Sequence, residues 1–446
     1  MSLSKRERVV CDAIAERRDE LIELASALVG FDTTARNPND PPRDEAALQA
    51  YLADRLRVAG AEVDVWEPTA EEVESRPLVP PGLGFEGRPQ LVARFAGVGS
   101  GKTLLLNGHI DAVSAEPLER WTSDPFTAEV RDNMLYGRGS CDMKGGIAAM
   151  VFACEILHEL GVQLRGDLLV ATNTDEESSG AGSSAIVAHG IEADAGIVTE
   201  PTGFDIWVAC RGSEYGVVTV PGRPGHAEML QPHWRDGGAV NAIEKGTLVI
   251  DAFGSLRAEW AKRDGFDHPH LSRPDVVPTI ASGGEWAVTY PASFDLTIAV
   301  LYLPGQADER GWGSDVRREV EEWLRRETAD DDWLAAQPPA VAWWPNGVMP
   351  MEIPPSEPIV EVMTKVTTDI GRPGRLAGLD SWYDGAAFTL MAGIPSIAYG
   401  PAGLTAGLAS IAHTIDEHVP VDDLVHCAQA LAVAGMRFCG EANELS

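Results

Sequence analysis

The chain has little positive charge, no C-x-x-C cysteine pair and no long apolar run, and each shortage removes a class of protein. Lysine and arginine number 35 against 68 aspartates and glutamates, a formal net charge of −33. A surface this acidic repels phosphate backbones and anionic headgroups, so neither nucleic acid nor a membrane is an expected partner. No apolar stretch approaches the roughly 20 residues needed to cross a bilayer. The N-terminus passes from Ser4-Lys5-Arg6-Glu7-Arg8 directly into an amphipathic pattern. It lacks an apolar segment followed by a small-residue cleavage site, and the expectation is a protein that is not secreted. Six cysteines (Cys11, Cys141, Cys154, Cys210, Cys427, Cys439) are scattered, which suits reduced thiols in a cytoplasm better than a disulfide framework. Cys141 reads as small buried filler.

What is present is enough apolar residue, 44% of 446, to build more than one core, so two domains are expected. Helical patterns cover 5–29, 43–59 and 145–160, and β-like segments cover 62–66 and 90–95. Gly82-Leu-Gly-Phe-Glu-Gly87 formally matches G-x-G-x-x-G. Prolines flank it and a strand follows, so no helix N-terminus is available to hold a pyrophosphate.

Five clusters carry the chemistry: Asn-Gly-His109-Ile-Asp111, Gly-Arg-Gly-Ser-Cys-Asp142-Met-Lys-Gly-Gly, Asp175-Glu176-Glu177, Thr-Glu200-Pro and Ala-His413-Thr. Four of them follow short buried runs, 103–106, 168–171, 195–198 and 394–399, and the Asp142 cluster leads into the helical pattern over 145–160. Taken singly, a histidine is usually a surface or satisfied core residue and a Glu-Glu pair is usually solvated. Together, two histidines and three carboxylates on strand ends match the ligand inventory of a two-zinc hydrolase. Strand and helix alternation with chemistry at carboxyl ends predicts an open α/β sheet with its site in that crevice. The segment from 212 to about 344 changes character. Strands at 214–220 and 293–303 alternate with helices at 239–261 and 308–326, with no chain of metal-type residues running through them, and predict an inserted α+β domain. The expected division is 1–211 and 346–446 for the catalytic domain and 212–345 for the insertion.

These clusters closely resemble the zinc metallopeptidase family that includes aminoacylase, acetylornithine deacetylase, succinyl-diaminopimelate desuccinylase and the glutamate carboxypeptidases. The likeness extends over N-G-H-I-D, Trp121–Phe126, L-Y-G-R-G-S-C-D-M-K-G-G, T-D-E-E, T-E-P-T, G-x-x-G-H-A, V-N-A-I, L-P-G and A-H-T-x-D-E. It implies an α/β di-zinc catalytic domain with a mostly parallel central sheet, interrupted by a smaller α+β lid and dimerisation domain. It also implies a homodimer and two zinc ions, with cobalt or manganese as substitutes. His109 and Glu200 are implied to hold one ion, Glu177 and His413 the other, and Asp142 to bridge them. Glu176, adjacent to a ligand but not spent on metal, takes the general-base role, and Asp111 orients His109. His226 is implied to stabilise the oxyanion in the partner subunit's site. Gly400 is read as presenting backbone groups to substrate and Asp384 as positioning the pocket.

One position departs from the pattern. Where many members carry an arginine that grips a substrate carboxylate, this chain has Leu301, with Arg211, Arg223 and Arg310 as the available substitutes. The expected function is amide hydrolysis by zinc-activated water, with an N-acyl amine or N-acyl amino acid as substrate. A dipeptidase or carboxypeptidase with the same machinery is the alternative. A catalytically silent metal-binding scaffold is the alternative of another class, against which the unliganded Glu176 argues.

Overall fold

The computed structural model of the protein describes residues 2–35, 40–345, 347–401 and 411–442, and the chain divides into two compact units. The first comprises Met1–Ala209, Glu352–Gly378 and Tyr383–Ser446, and the second Cys210–Met351 with Leu379–Trp382. The second unit runs past the expected boundary at 345 because Ser213 forms an isolated bridge with Val348 and the Tyr302 hydroxyl donates to the Val348 carbonyl at 3.2 Å. Leu379–Trp382 joins it through Arg211, whose backbone N–H faces the carbonyls of Leu379 and Ser381.

The first unit is built on a nine-stranded sheet. Its centre consists of Leu168–Asn173, Leu104–His109, Ala195–Val198 and Ser396–Ala398, side by side and parallel. Antiparallel strands flank it, Gln90–Phe95 and Glu62–Trp66 on one side and Ile206–Cys210 on the other. The central strands are buried at every position, so they read as unbroken apolar runs rather than alternating ones. Two of them run further than their apolar letters because polar residues inside satisfy one another. Asn107 Nδ2 donates to Asn173 Oδ1 at 2.8 Å and to the Ala171 carbonyl at 3.2 Å, so the Asn107 amide nitrogen and the Asn173 oxygen are paired within the core. Register places His109 beside Asn173 and Asn107 beside Val198. The strands therefore deliver Asp111, Glu176-Glu177 and Glu200 to one edge.

Helix Gly145–Glu159 is buried along almost its whole length, as its apolar surround requires. Gly146 allows its first turn to lie against the Glu200 strand end: a Cβ there would meet the Thr199 carbonyl oxygen at 2.1 Å. The helical pattern over 5–29 is two helices, Lys5–Glu16 and Arg18–Val29. Arg17 leaves helical dihedrals between them, with its guanidinium held by Glu20 and Glu159. A small sheet of Glu129–Arg131, Met134–Tyr136 and His418–Pro420 joins distant parts of the chain. Among the described residues no helix is long and apolar enough to cross a membrane.

The second unit has a four-stranded antiparallel sheet in the order Asp275–Gly283, Ser293–Tyr302, Gly212–Pro221, Ala340–Trp343. Helices Ala242–Trp260 and Ser314–Glu327 share a core with one sheet face. Val249, Phe253, Leu256 and Trp260 recur at helical spacing and pack with Leu296, Ile298, Val300 and Tyr302. The strand period of two therefore turns Leu301 to the opposite face. Asn241 of the V-N-A-I motif caps the first helix, its side chain accepting the Ile243 N–H at 3.0 Å. The second helix starts at Ser314 rather than 308 because the Asp308 carboxylate binds the N–H groups of Arg310 and Trp312 and closes a turn first.

Candidate metal centre

His109 closes a rigid parallel strand, and its ring orientation is set locally. Nδ1 lies 2.9 Å from the Asp111 carbonyl oxygen. A carbonyl only accepts, so Nδ1 carries the proton and Nε2 is left with its lone pair, the tautomer a metal ligand needs. Nε2 faces Asp142 Oδ1 at 3.2 Å, with Glu200 Oε1 and Glu176 Oε2 each at 3.9 Å.

Asp142 stands at the middle. Its backbone leaves helical geometry (φ −121°, ψ 93°) just before the helix that begins at Gly145, which frees its carboxylate to face two ways. Oδ1 points to His109, and Oδ2 lies 3.3 Å from His413 Nε2. His413 Nε2 is in turn 3.2 Å from Glu177 Oε2. His109, Asp142 and Glu177 offer ligand atoms that all lie within 4.8 Å of one another.

The Asp111 carboxylate differs from its expected use. It stands 3.6 Å from His109 Nδ1, and the imidazole takes the Asp111 main-chain carbonyl instead. Its oxygens accept the backbone N–H groups of Glu176, at 3.3 Å, and Glu177, at 3.1 Å, so the side chain straps the carboxylate pair to the histidine strand. The turn holding that pair starts at Asp175, whose φ of 63° bends the chain sharply, and Arg88 ion-pairs with its buried carboxylate at 3.3 Å. Arg88 ends the stretch that contains the false G-x-G-x-x-G. Gly400 also has another use. Its N–H donates to Thr202 Oγ1 at 3.1 Å rather than to a substrate, and a Cβ there would meet the Glu200 carbonyl oxygen at 2.3 Å. Asp384 is fully buried and accepts the Asn173 amide at 2.6 Å.

Crowding carboxylates in a dry site has an electrostatic cost. Burial, and then the repulsion of neighbouring acids, pushes the Glu176 and Glu200 carboxyls well above the usual range, with His109 opposing. His413, hydrogen-bonded to Asp142 and Glu177, is raised to about 10. Glu177 Oε1 and Glu200 Oε1 are buried and accept no hydrogen bond. Four carboxylates facing two imidazoles, with lone pairs unclaimed, are a donor set that suits divalent cations.

Sequence reasoning missed Glu417, the last residue of A-H-T-x-D-E. It pairs in the core with Arg138 of the Asp142 loop. His226 belongs to the second unit, exposed beside an isolated bridge to Thr289.

Comparison with known proteins places this geometry. The model of Peptidase family M20/M25/M40 matches residues 105–436. N-formyl-4-amino-5-aminomethyl-2-methylpyrimidine deformylase of Bacillus subtilis is 25% identical over 449 residues, covering 97% of each chain. Succinyl-diaminopimelate desuccinylase of Leptothrix cholodnii is 35% identical over 254 residues, 47% of this chain and 63% of that one. An M20 family metallo-carboxypeptidase from Sulfolobus solfataricus superposes with a TM-score of 0.69 at 15% identity, over 94% of this chain and 99% of that one. With the family model spanning most of the sequence, the chain belongs to peptidase family M20/M25/M40, a metal-dependent family, and is a hydrolase of amide bonds.

Proposed function

We propose that this enzyme removes a small acyl group from an amine whose remainder is neutral or aromatic, rather than from an α-amino acid. The observation that carries this reading is Leu301. It lies on the sheet face turned away from the core, and its strand partners are Ser213 and Asp275, neither of them a cation. Arg211 directs its guanidinium to the carbonyls of Asp380 and Arg273, and Arg223 to those of Trp234 and Gly238. Both are already spent within the second unit. The deformylase relative is named for an aminomethylpyrimidine, an amine without a carboxylate. The test is kcat/KM for matched pairs, an N-formyl or N-acetyl amino acid against its decarboxylated counterpart. The amine form is expected to be at least as fast. A carboxylate form faster by about 100-fold, roughly 2.7 kcal/mol, would overturn the reading and return the enzyme to the dipeptidase or carboxypeptidase class.

For the chemistry, His109 and Glu200 are proposed to hold one zinc ion, Glu177 and His413 a second, and Asp142 to bridge them. Such ions, when bound, supply the positive charge that acidifies water and polarises an amide carbonyl. Glu176 takes the proton of the attacking water as the oxygen–carbon bond forms, then passes it to the nitrogen as the carbon–nitrogen bond breaks. Asp111 keeps Glu176 and Glu177 in register with His109. The homodimer, with His226 reaching the partner's site, belongs to the same proposal, as does a cytoplasmic location, which six buried cysteines outside any disulfide support. Zinc reconstitution is expected to yield two ions per chain by elemental analysis. A firm stoichiometry of one would remove the bridging role of Asp142.

A further inference from the structure

The Asp142 loop and the His413 segment are far apart in sequence, yet one buried carboxylate holds them together. Glu417 is 1% exposed. Its Oε2 accepts the Arg138 guanidinium at 2.5 Å and the Gly139 N–H at 3.2 Å. Its Oε1 accepts the N–H groups of Cys141 at 2.9 Å and Asp142 at 3.0 Å. Successive backbone donors wrapped around an anion form a nest, and here the anion is a side chain of the protein itself. The main chain is fixed as well. The Gly137 N–H donates to the Glu417 carbonyl at 2.9 Å, and His418–Pro420 pairs at once with Met134–Tyr136.

We propose that Glu417 is a positioning residue for the metal centre, setting the separation of Asp142 and His413 and so the affinity of the ion that Asp142, Glu177 and His413 hold. This rests on the two-ion reading above. Without the Glu417 carboxylate, the main-chain tie at Gly137 and the small sheet remains, but the Asp142 backbone loses the side-chain bonds that fix it against the His413 segment. Two of that ion's three ligands then move. The other ion keeps His109, on its buried strand, and Glu200, at a strand end packed under Gly146 and Gly400, so only its shared Asp142 is disturbed. Glu417 touches neither ion and acts through the loop. Removing its charge also leaves Arg138, 2% exposed, as an uncompensated buried cation near the centre.

The experiment is a stepwise titration of the chelated, full-length protein with Zn²⁺, repeated with Co²⁺ to read each ion by its absorption band. In Glu417→Gln one of the two affinities is expected to fall 10–100-fold, the usual cost of losing a partner that orients metal ligands, with the other changing less than about threefold. The weakened step should be the one missing in His413→Ala. Glu417→Asp keeps the charge beside Arg138 but falls one methylene short of the loop, and should weaken the same step. It carries the test where Glu417→Gln does not fold. Thermal melting of the metal-free proteins separates the alternative: both steps unchanged, or both weakened equally alongside a lower apo Tm, makes Glu417 a structural staple and overturns the proposal. A wild-type protein that binds a single ion overturns the two-ion reading instead.

Discussion

Glu176→Gln is expected to lower kcat by about 10²–10⁴, the usual worth of general acid–base catalysis, while leaving the metal content unchanged. The argument turns on two adjacent carboxylates with different surroundings. Glu177 is 3.2 Å from His413 Nε2 and keeps a buried oxygen that accepts no hydrogen bond, the situation of a ligand. Glu176 lies 3.9 Å from His109 Nε2 and, of the adjacent pair, it is Glu177 that faces His413 Nε2, so Glu176 sits at the site without closing on a ligand partner. Glutamine preserves shape and hydrogen-bonding capacity but cannot take a proton. Glu177→Gln is the contrasting variant, expected to lose metal first and activity as a result. Elemental analysis alongside kcat at saturating substrate reads both. Should Glu176→Gln lose metal and Glu177→Gln retain it, base and ligand exchange places.

The readable parts of this chain are those where one physical demand dominates. Leu104–His109 and Leu168–Asn173 are covered on both faces, so burial alone writes their composition, and the ligand-type residues at their ends stand out against it. Asp275–Gly283 escapes the same reading because it is an edge strand, mostly exposed, with Pro278 inside and a register shift beside it. Edge position tolerates both the proline and the polar letters. The site is legible as an inventory and illegible as a scaffold. Spacing identifies His109, Asp142 and Glu176-Glu177 as chemistry, but Asp111 reads as support for its neighbour when its carboxylate serves a loop more than sixty positions away. Glu417 and Arg138 look like ordinary charges in sequence. Their meaning arises only when the small sheet folds their segments together.

His226→Ala and Glu176→Gln subunits, each inactive as a homodimer, are expected to recover about a quarter of wild-type activity when co-expressed. With random pairing, half of the dimers are mixed. Each mixed dimer holds one site with an intact Glu176 from one chain and an intact His226 from the other, beside one site lacking both. His226 is placed in the second unit, exposed, and its Nδ1 accepts the Glu228 N–H at 3.3 Å. An imidazole that accepts at Nδ1 carries its proton on Nε2 when neutral. That leaves a side chain able to donate toward a developing oxyanion, a contact whose removal typically costs about 10²–10³ in kcat. The measurement is specific activity of heterodimers isolated by two different affinity tags, which removes any dependence on how evenly the chains pair. Recovery in the isolated heterodimer to about half of wild type assigns His226 to the partner's site. Heterodimers that stay as inactive as their parents place His226 in its own subunit's site or outside catalysis, and the oxyanion then requires a donor from the first unit.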